Sequence, residues 1–149
     1  MAQVYVPWTR QHPECWDALA GRDVVSAQLK ADEHAYWQLV RYLWSKGEPF
    51  TLVEHDVVVL PDTLEELDNC PQPWCAFKVT TGEGWVATLG CVRFVPVGEW
   101  PVPEPTRWQD LDWTLEAALV KAGWSKHLHS PILDHVNPGV IWVRSLQPA

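Results

Sequence analysis

The sequence predicts an α/β protein, with a mixed but mainly parallel sheet flanked by helices in a single domain over residues 1–149. Strand-like and helix-like segments alternate in the first half, which is typical of right-handed βαβ crossovers. The second half contains β segments separated by a short turn, which favours an antiparallel part of the same sheet. A chain of 149 residues has the size of one domain, and no linker or repeat divides it.

The first half is expected to hold three strands and two helices. Their predicted bounds are strands at Gln3 to Val6, Val24 to Gln28 and Phe50 to Leu60, and helices at Glu14 to Ala20 and Glu33 to Ser45. The first strand stops at Pro7 and leads into a loop, and Asp32 is the N-cap candidate of the second helix. The run from Phe50 is almost continuously apolar, as expected for a central buried strand.

The second half is expected to hold two helices and several β segments. Their predicted bounds are helices at Asp62 to Leu67 and Asp110 to Ala122, and β segments at Trp74 to Val79, Trp85 to Val95, Lys126 to His129 and Val140 to Val143. A Thr-Gly-Glu-Gly turn joins the first two β segments, and a proline-rich loop from Pro96 to Pro105 precedes the last helix. His135 is expected in a loop after Pro131.

Composition disfavours some classes of function. The 11 Lys and Arg and 19 Asp and Glu residues give a net charge of −8, which is the wrong sign for a surface that grips a phosphate backbone. DNA is therefore a possible but disfavoured partner. We expect a cytoplasmic protein without a membrane span, because no apolar run is long enough and no signal peptide pattern is present. The 11 tryptophans and 13 prolines indicate aromatic stacking surfaces and rigid loops.

The four cysteines are compatible with two disulfides, one zinc ion or free thiols. Cys70 and Cys75 are the only close pair, and their separation does not match a zinc-knuckle spacing. In a cytoplasmic protein we favour free, buried thiols, with zinc as a minor alternative.

An acidic motif interrupts the predicted central strand. Glu54, His55 and Asp56 place two carboxylates two residues apart, where open α/β sheets bind ligands beyond the carboxyl ends of their strands. Buried carboxylates need a partner, and a hard divalent cation, Mg²⁺ or Mn²⁺, is the usual one when phosphates are also bound. The alternative is that the strand ends at Val53 and the acids are solvated.

Two further groups of residues carry possible chemistry. His127, His129 and His135 are concentrated near the end of the chain, and one of them could complete a metal shell begun by Asp56. Asp110 and Asp112 lie at the start of the last helix, where one carboxylate could cap the helix and another could act as a general base towards a hydroxyl.

The chain lacks the glycine-rich phosphate-binding motifs and the serine-hydrolase and kinase signatures. Bound phosphates would therefore be held by a metal and side chains. The loop Pro7, Trp8, Thr9 and Arg10 is the natural candidate for gripping a nucleotide, and Asp32 could contact its base.

Taken in order, several segments of the chain resemble a compact GT-A glycosyltransferase, similar to short glycosyltransferase-like proteins of actinobacteria and their phages. The resemblance extends from Val4 to about His135, and the segments are VYVPWTR, FTLVEHDVVVL, WCAF, TLGCVRF, RWQDLDWTL and the terminal HLH with DH. It implies a minimal, Rossmann-like GT-A fold that binds a nucleotide sugar through a divalent metal held by a DxD-type motif.

The resemblance also implies roles for individual residues. Asp56 would bind Mn²⁺ or Mg²⁺ together with His135 or, failing it, His129, and Glu54 would lie nearer the ribose or the metal's water shell. Asp112, with Asp110 as its rival, would be the catalytic base of an inverting enzyme. Residues beside the donor or acceptor sugar would be Trp74, Gly90, Cys91 and Arg93.

The expected function is therefore a metal-dependent transfer of a sugar from a nucleotide-sugar donor to a hydroxyl acceptor. Three alternatives remain open from the sequence. The domain could be an inactive nucleotide- or glycan-binding module of the same fold, a phage-type enzyme that glycosylates modified DNA bases, or a tryptophan-rich interaction surface in an assembly.

Overall fold

A computed structural model describes residues 2–136 of the protein. Its four helices are α1 (Pro13–Ala18), α2 (Ala35–Ser45), α3 (Thr63–Asn69) and α4 (Trp108–Lys121). Its eight strands are β1 (Gln3–Trp8), β2 (Val24–Gln28), β3 (Phe50–Val53), β4 (Val57–Val58), β5 (Trp74–Thr81), β6 (Gly84–Val86), β7 (Cys91–Phe94) and β8 (His127–His135). The strand predicted at Val140 to Val143 lies outside the described residues.

The strands form one mixed sheet in the order β2-β1-β3-β7-β5-β8-β4, with β6 paired to β5. The β1/β2, β1/β3 and β5/β8 pairs are parallel, whereas the β3/β7, β5/β7, β5/β6 and β4/β8 pairs are antiparallel. The predicted α/β class with a mixed sheet is confirmed. The expectation of a mainly parallel sheet is wrong for residues 2–136, because the second half of the chain contributes mostly antiparallel pairs.

Alternation along the strands sends side chains into two separate hydrophobic clusters. Leu52, Ala76 and Val92 pack with α2 and α4 in one cluster, and their neighbours Val53 and Cys75 pack with α3 in the other. The sheet is therefore covered by helices on both faces. Most of the tryptophan-rich packing lies on the α2/α4 face, where Trp44 contacts Phe94, Trp100 and Trp124.

The predicted single strand from Phe50 to Leu60 is wrong, because the chain turns at the acidic motif. The backbone N–H of Glu54 donates to the carbonyl of Gly90 at 2.9 Å, and that of Val57 donates back to Glu54 at 3.1 Å. The chain then changes partners, since β3 pairs with β1 and β7 whereas β4 pairs with β8. The motif is thus a connection at the edge of the sheet where the parallel strands β1 and β3 end.

Two other strand boundaries differ from the prediction. The segment expected at Trp85 to Val95 is two strands, β6 and β7, with a connection between them. Strand β8 continues through Pro131 to His135, so His135 lies in a strand and not in a loop. A register shift between Phe77 and Val79 of β5 accompanies the proline, which lacks a ladder donor.

The start of α2 also differs from the prediction. Its N-cap is His34, and Asp32 lies outside the helix. The Asp32 side chain accepts a hydrogen bond from the backbone N–H of His34 at 2.8 Å, so it stabilises the turn that precedes the helix.

The cysteines are only partly in the predicted state. Cys15 and Cys91 are buried free thiols, but Cys70 and Cys75 form a disulfide that links the end of α3 to β5.

None of the helices in residues 2–136 has the length and apolar character needed to cross a lipid bilayer.

Candidate active site

Three carboxylates from two segments converge at the edge where β1 and β3 end. Glu54 and Asp56 come from the connection after β3, and Asp112 comes from the first turns of α4. Their charges affect one another, since Asp112 and Asp56 both raise the pKa of Glu54. The start of α4 is held near the start of α2 by a hydrogen bond from the backbone N–H of Trp108 to the carbonyl of Glu33, at 2.9 Å.

Asp56 is the most deeply buried of these acids, with 4% of its surface exposed. Its Oδ2 lies 2.8 Å from Nε2 of His135, whereas its Oδ1 is buried without a hydrogen-bond partner among residues 2–136. The β4/β8 pairing explains the contact, since His135 lies opposite Val57, the residue after Asp56. Burial opposes ionisation, but the hydrogen bond and charge of His135 outweigh it and hold the pKa of Asp56 below its usual value.

His55 connects this site to the loop after β1. Its Nδ1 accepts hydrogen bonds from the backbone N–H groups of Thr9, at 3.0 Å, and Arg10, at 3.5 Å. Its Nε2 lies 3.8 Å from Oδ2 of Asp56. Burial lowers the pKa of His55, so the ring is neutral near pH 7 and can accept these hydrogen bonds.

A side chain of α2, a helix that covers one face of the sheet, binds the carboxyl group of Glu54. The hydroxyl of the buried Tyr36 donates to Oε2 of Glu54 at 2.7 Å. Burial, followed by the charges of Asp112 and Asp56, raises the pKa of Glu54 well above its usual value, although the Tyr36 hydrogen bond acts in the opposite direction.

Asp112, on α4, is the third acid of the cluster. Burial raises its pKa to about 6, while hydrogen bonds to the Thr88 side chain and to the backbone of Leu89 oppose the shift. Asp110 has a different environment. It accepts hydrogen bonds from the guanidinium of Arg107, one residue before α4, at 3.0 and 3.2 Å. The structure therefore brings Asp112 to Glu54 and Asp56, whereas Asp110 is engaged in an ion pair at the start of the helix.

The predicted nucleotide-binding residues are only partly brought together. Pro7 is buried within β1, and Trp8 is the last residue of that strand. The Trp8 indole N–H donates to the hydroxyl of Ser26 at 2.7 Å. Thr9 and Arg10 are exposed beside His55, so they are the residues of this loop that adjoin the acidic cluster. Asp32 is exposed and bonded within its own turn.

Most of the predicted sugar contacts do not fit the structure. Trp74 is 2% exposed and stacks on Phe94 at 6.3 Å, so its ring is part of the core and not open to a sugar. Cys91 is buried as well. Arg93 donates from Nη1 to the carbonyl of Cys70 at 3.2 Å and thereby stabilises the loop after α3. Gly90 has a structural contact with the site, because its carbonyl receives the N–H of Glu54.

His129 does not accompany His135. Within residues 2–136, the only group of three or more His, Cys, Asp and Glu side chains with all ligand atoms within 4.8 Å of one another is Cys70, His127 and His129. Of the two predicted histidine ligands, the structure therefore places His135 beside Asp56 and His129 in a separate cluster.

Sequence reasoning missed Tyr36, His55 and Thr88 as parts of the site. Tyr36 lies on the apolar face of α2, but a buried tyrosine hydroxyl also needs a hydrogen-bond partner. That requirement is the signal that could have linked α2 to a nearby carboxylate. Thr88 has no comparable sequence signal, because its role depends on the contact with α4.

Comparisons with known proteins give no match to a family model and no match among curated proteins. Among solved structures, the chain is similar to A197 from STIV, with a TM-score of 0.57 and 10% identity over 87% of this chain and 82% of that one. It also matches a glycosyltransferase involved in the glycosylation of the major capsid of PBCV-1, with a TM-score of 0.49 and 12% identity over 90% and 92% of the two chains. The likeness to A197 shows a shared fold.

Proposed function

We propose that the protein transfers a sugar from a nucleotide-sugar donor to a hydroxyl group. The proposed site is the cluster of Glu54, Asp56 and Asp112 at the edge of the sheet. The observation that carries the proposal is the buried Asp56, which pairs with His135 and keeps one carboxylate oxygen without a partner. A buried carboxylate with one unpartnered oxygen is suited to bind a cation or a ligand. The same residues were expected at the metal site from the sequence resemblance.

The donor set fits a hard divalent cation. Mg²⁺ and similar ions are commonly bound by one or two carboxylates, with substrate phosphates and waters as the other ligands. Asp56 and His135 would hold Mn²⁺ or Mg²⁺, whose positive charge stabilises a leaving diphosphate. Glu54 lies two residues before Asp56 in the chain, and its Tyr36 hydrogen bond keeps the carboxyl in one orientation.

Asp112 is the candidate general base. A base works best with a pKa near the operating pH, and burial raises the pKa of Asp112 to about 6. At neutral pH the carboxylate is ionised and can accept the proton of an acceptor hydroxyl as that oxygen attacks the sugar. The hydrogen bonds from Thr88 and Leu89 hold the side chain in position for this step.

The loop after β1 is the candidate contact for the donor's nucleotide. Thr9 and Arg10 are exposed, and their N–H groups fix this loop to His55. The loop and the acidic cluster are thus held together before a ligand binds. The Arg10 guanidinium can pair with a phosphate in this position.

The first experiment is a thermal-shift screen of UDP-, GDP- and dTDP-sugars with and without Mn²⁺, since a ligand that binds the native state raises its apparent stability. We expect one nucleotide to stabilise the chain only with metal, and Asp56→Asn to abolish the effect. Asp17→Asn, which changes an exposed carboxyl on α1, is the matched control. If no nucleotide shifts the transition under any metal condition, the proposed donor site is wrong.

A further variant, Asp112→Asn, and the activity of the wild-type chain separate an enzyme from a binding module. In the enzyme, Asp112→Asn retains the donor-dependent stabilisation but lowers the transfer rate by about 10²- to 10⁴-fold, as expected for loss of a general base. A wild-type chain that binds the donor yet neither transfers nor hydrolyses the sugar would instead be a binding module of the same fold.

A further inference from the structure

A second set of metal-binding side chains lies outside the acidic site, where the end of α3 meets β5 and β8. We propose that, when the Cys70–Cys75 disulfide is reduced, the side chains of Cys70, Cys75, His127 and His129 bind a Zn²⁺ ion. This inference does not rest on the proposed transferase activity, because none of the four residues belongs to the acidic cluster.

The fold brings these side chains together from three elements. Cys70 is the residue that ends α3, and Cys75 lies on β5. Parallel pairing of β5 with β8 sets Cys75 opposite His127 and Phe77 opposite His129. Registered positions of neighbouring strands point to the same face of a sheet. Both histidines therefore share the face on which Cys70 and Cys75 meet.

The distances fit a site that needs little rearrangement. The ligand atoms of Cys70, His127 and His129 lie within 4.8 Å of one another, and Cys75 is bonded to Cys70. In a tetrahedral zinc site with ordinary zinc–sulfur and zinc–nitrogen bonds, neighbouring ligand atoms are about 3.3 to 3.8 Å apart. Side-chain rotations that bring the Cys70, His127 and His129 atoms roughly one ångström closer, and that separate the two sulfurs after reduction, would complete the shell.

The two histidine rings lie against each other. Their rings pack edge to face with centroids 4.6 Å apart, and Nε2 of His129 is buried without a hydrogen-bond partner among residues 2–136. Burial, with a contribution from His127, lowers the pKa of His129. Zinc binds the unprotonated imidazole and would give this nitrogen its missing partner.

The donor chemistry distinguishes this site from the acidic one. Two thiolates and two imidazoles are typical of a structural zinc site, whereas Asp56 and Glu54 offer oxygen to harder cations. Cys70 is buried and His127 is exposed, so the site lies near the surface and an ion can reach it. Zinc there would join α3, β5 and β8, whereas the disulfide links only the end of α3 to β5.

The disulfide and the zinc site exclude each other, because both use the sulfurs of Cys70 and Cys75. The conversion of one into the other conserves atoms and electrons. A dithiol reductant attacks the Cys70–Cys75 bond and transfers two electrons and two protons, which leaves two cysteine thiols and oxidises the dithiol to its own disulfide. The thiols then lose two protons when their sulfurs bind Zn²⁺. The site is therefore occupied under reducing conditions and converted to the disulfide under oxidising ones.

Cobalt substitution tests the site in the full chain. The protein is reduced with a phosphine, which takes up the oxygen of water as the disulfide becomes two thiols, and is titrated with Co²⁺ and then Zn²⁺. We expect one equivalent of Co²⁺ to give the thiolate charge-transfer and tetrahedral d–d absorption bands, and Zn²⁺ to remove them. Non-reduced protein should show neither band.

Variants on the surface keep the test independent of folding. His127→Ala, at an exposed position, should weaken Co²⁺ binding by at least about tenfold, and His34→Ala, at the N-cap of α2, should leave it unchanged. Cys70→Ser should remove the charge-transfer band. The proposal is overturned if the reduced protein binds Co²⁺ without a thiolate band, fails to bind it, or binds it equally well in the His127 and His34 variants.

Discussion

Residue environments separate the three carboxylates of the candidate site. A hydrogen-bonded histidine keeps the pKa of Asp56 low, whereas burial and neighbouring negative charge raise the pKa values of Glu54 and Asp112. Titratable groups whose environments push their pKa values apart are typical of acid–base sites. Burial and the charges of Asp112 and Asp56 favour the protonated form of Glu54 by raising its pKa.

Replacement of Asp112 by Asn should stabilise the fold in a pH-dependent way. The pKa rises from 3.8 to about 6 on folding, so the native state holds the proton more tightly and wild-type stability is lost as pH rises through that range. The variant should therefore match the wild type below about pH 4 and exceed it by roughly 1 to 2 kcal/mol above pH 7, less than the full shift allows because the side chain is only partly buried.

Urea denaturation of both proteins from pH 4 to pH 8 measures this difference. Asp17→Asn is again the control, because its carboxyl is exposed on α1, and its difference from the wild type should stay flat. A stability gap that shrinks as pH rises would contradict the buried environment assigned to Asp112.

Replacement of Tyr36 by Phe should cost about 1 kcal/mol of stability at neutral pH. The change removes the donor to Glu54 and leaves a partly buried carboxylate oxygen without its partner. Tyr42→Phe is the matched control on the same helix, because Tyr42 is 61% exposed. Denaturant unfolding that gave equal losses for the two variants would show that the Tyr36 hydroxyl is not engaged as described.

At the scale of elements, the helices were predictable from their periodicity. The point at which the chain stops pairing with one set of strands and starts pairing with another was not. Helices α2 and α4 were expected within two residues of their observed ends, since their apolar faces repeat at helical spacing. The break after β3 was missed because Val57 and Val58 are as apolar as the strand before them. They pair with β8, which is distant in the sequence, and the local sequence does not indicate that partner.

The site was predictable to a similar degree. Asp56, Asp112 and His135 were singled out from motif order, and the structure brings them to one edge of the sheet. His129 and Trp74 were misplaced, because alternation along a strand does not say which neighbouring strand a side chain will meet. The Cys70–Cys75 disulfide depends on the spatial contact between α3 and β5, which the spacing of the residues left undecided.

Replacement of Gly90 by Ala tests the connection that positions Glu54. An added Cβ would lie 3.1 Å from Cγ2 of Val79 and 3.5 Å from Cγ2 of Val57, so the Val79 side chain or the backbone of Gly90 must move by a few tenths of an ångström. We expect a loss of about 1 to 3 kcal/mol in urea unfolding. The double variant with Val79→Ala should lose less than the sum of the two single changes, because the crowded methyl group is gone. Strict additivity would place the strain elsewhere.

At the scale of the whole molecule, charge separates a small-molecule or glycan enzyme from one that acts on DNA. The net charge is −8, and several of the cations are engaged within the fold. Arg107 pairs with Asp110 and Lys126 with Glu116, while Arg93 donates to backbone carbonyls. With 19 acidic residues against 11 basic ones, the overall charge opposes binding to a phosphate backbone.

We therefore expect no association with duplex DNA at physiological salt, including duplexes with hydroxymethylated bases. Fluorescence anisotropy with a labelled duplex should give no saturable signal up to about 100 μM protein, the range in which ordinary non-specific binders are detected. Titrations at about 50 and 200 mM salt complete the measurement, since binding through phosphates weakens steeply as salt rises. Saturable, salt-sensitive binding would contradict this and make a modified base the acceptor to test. Its absence would direct the search to hydroxyl acceptors that carry no phosphate chain.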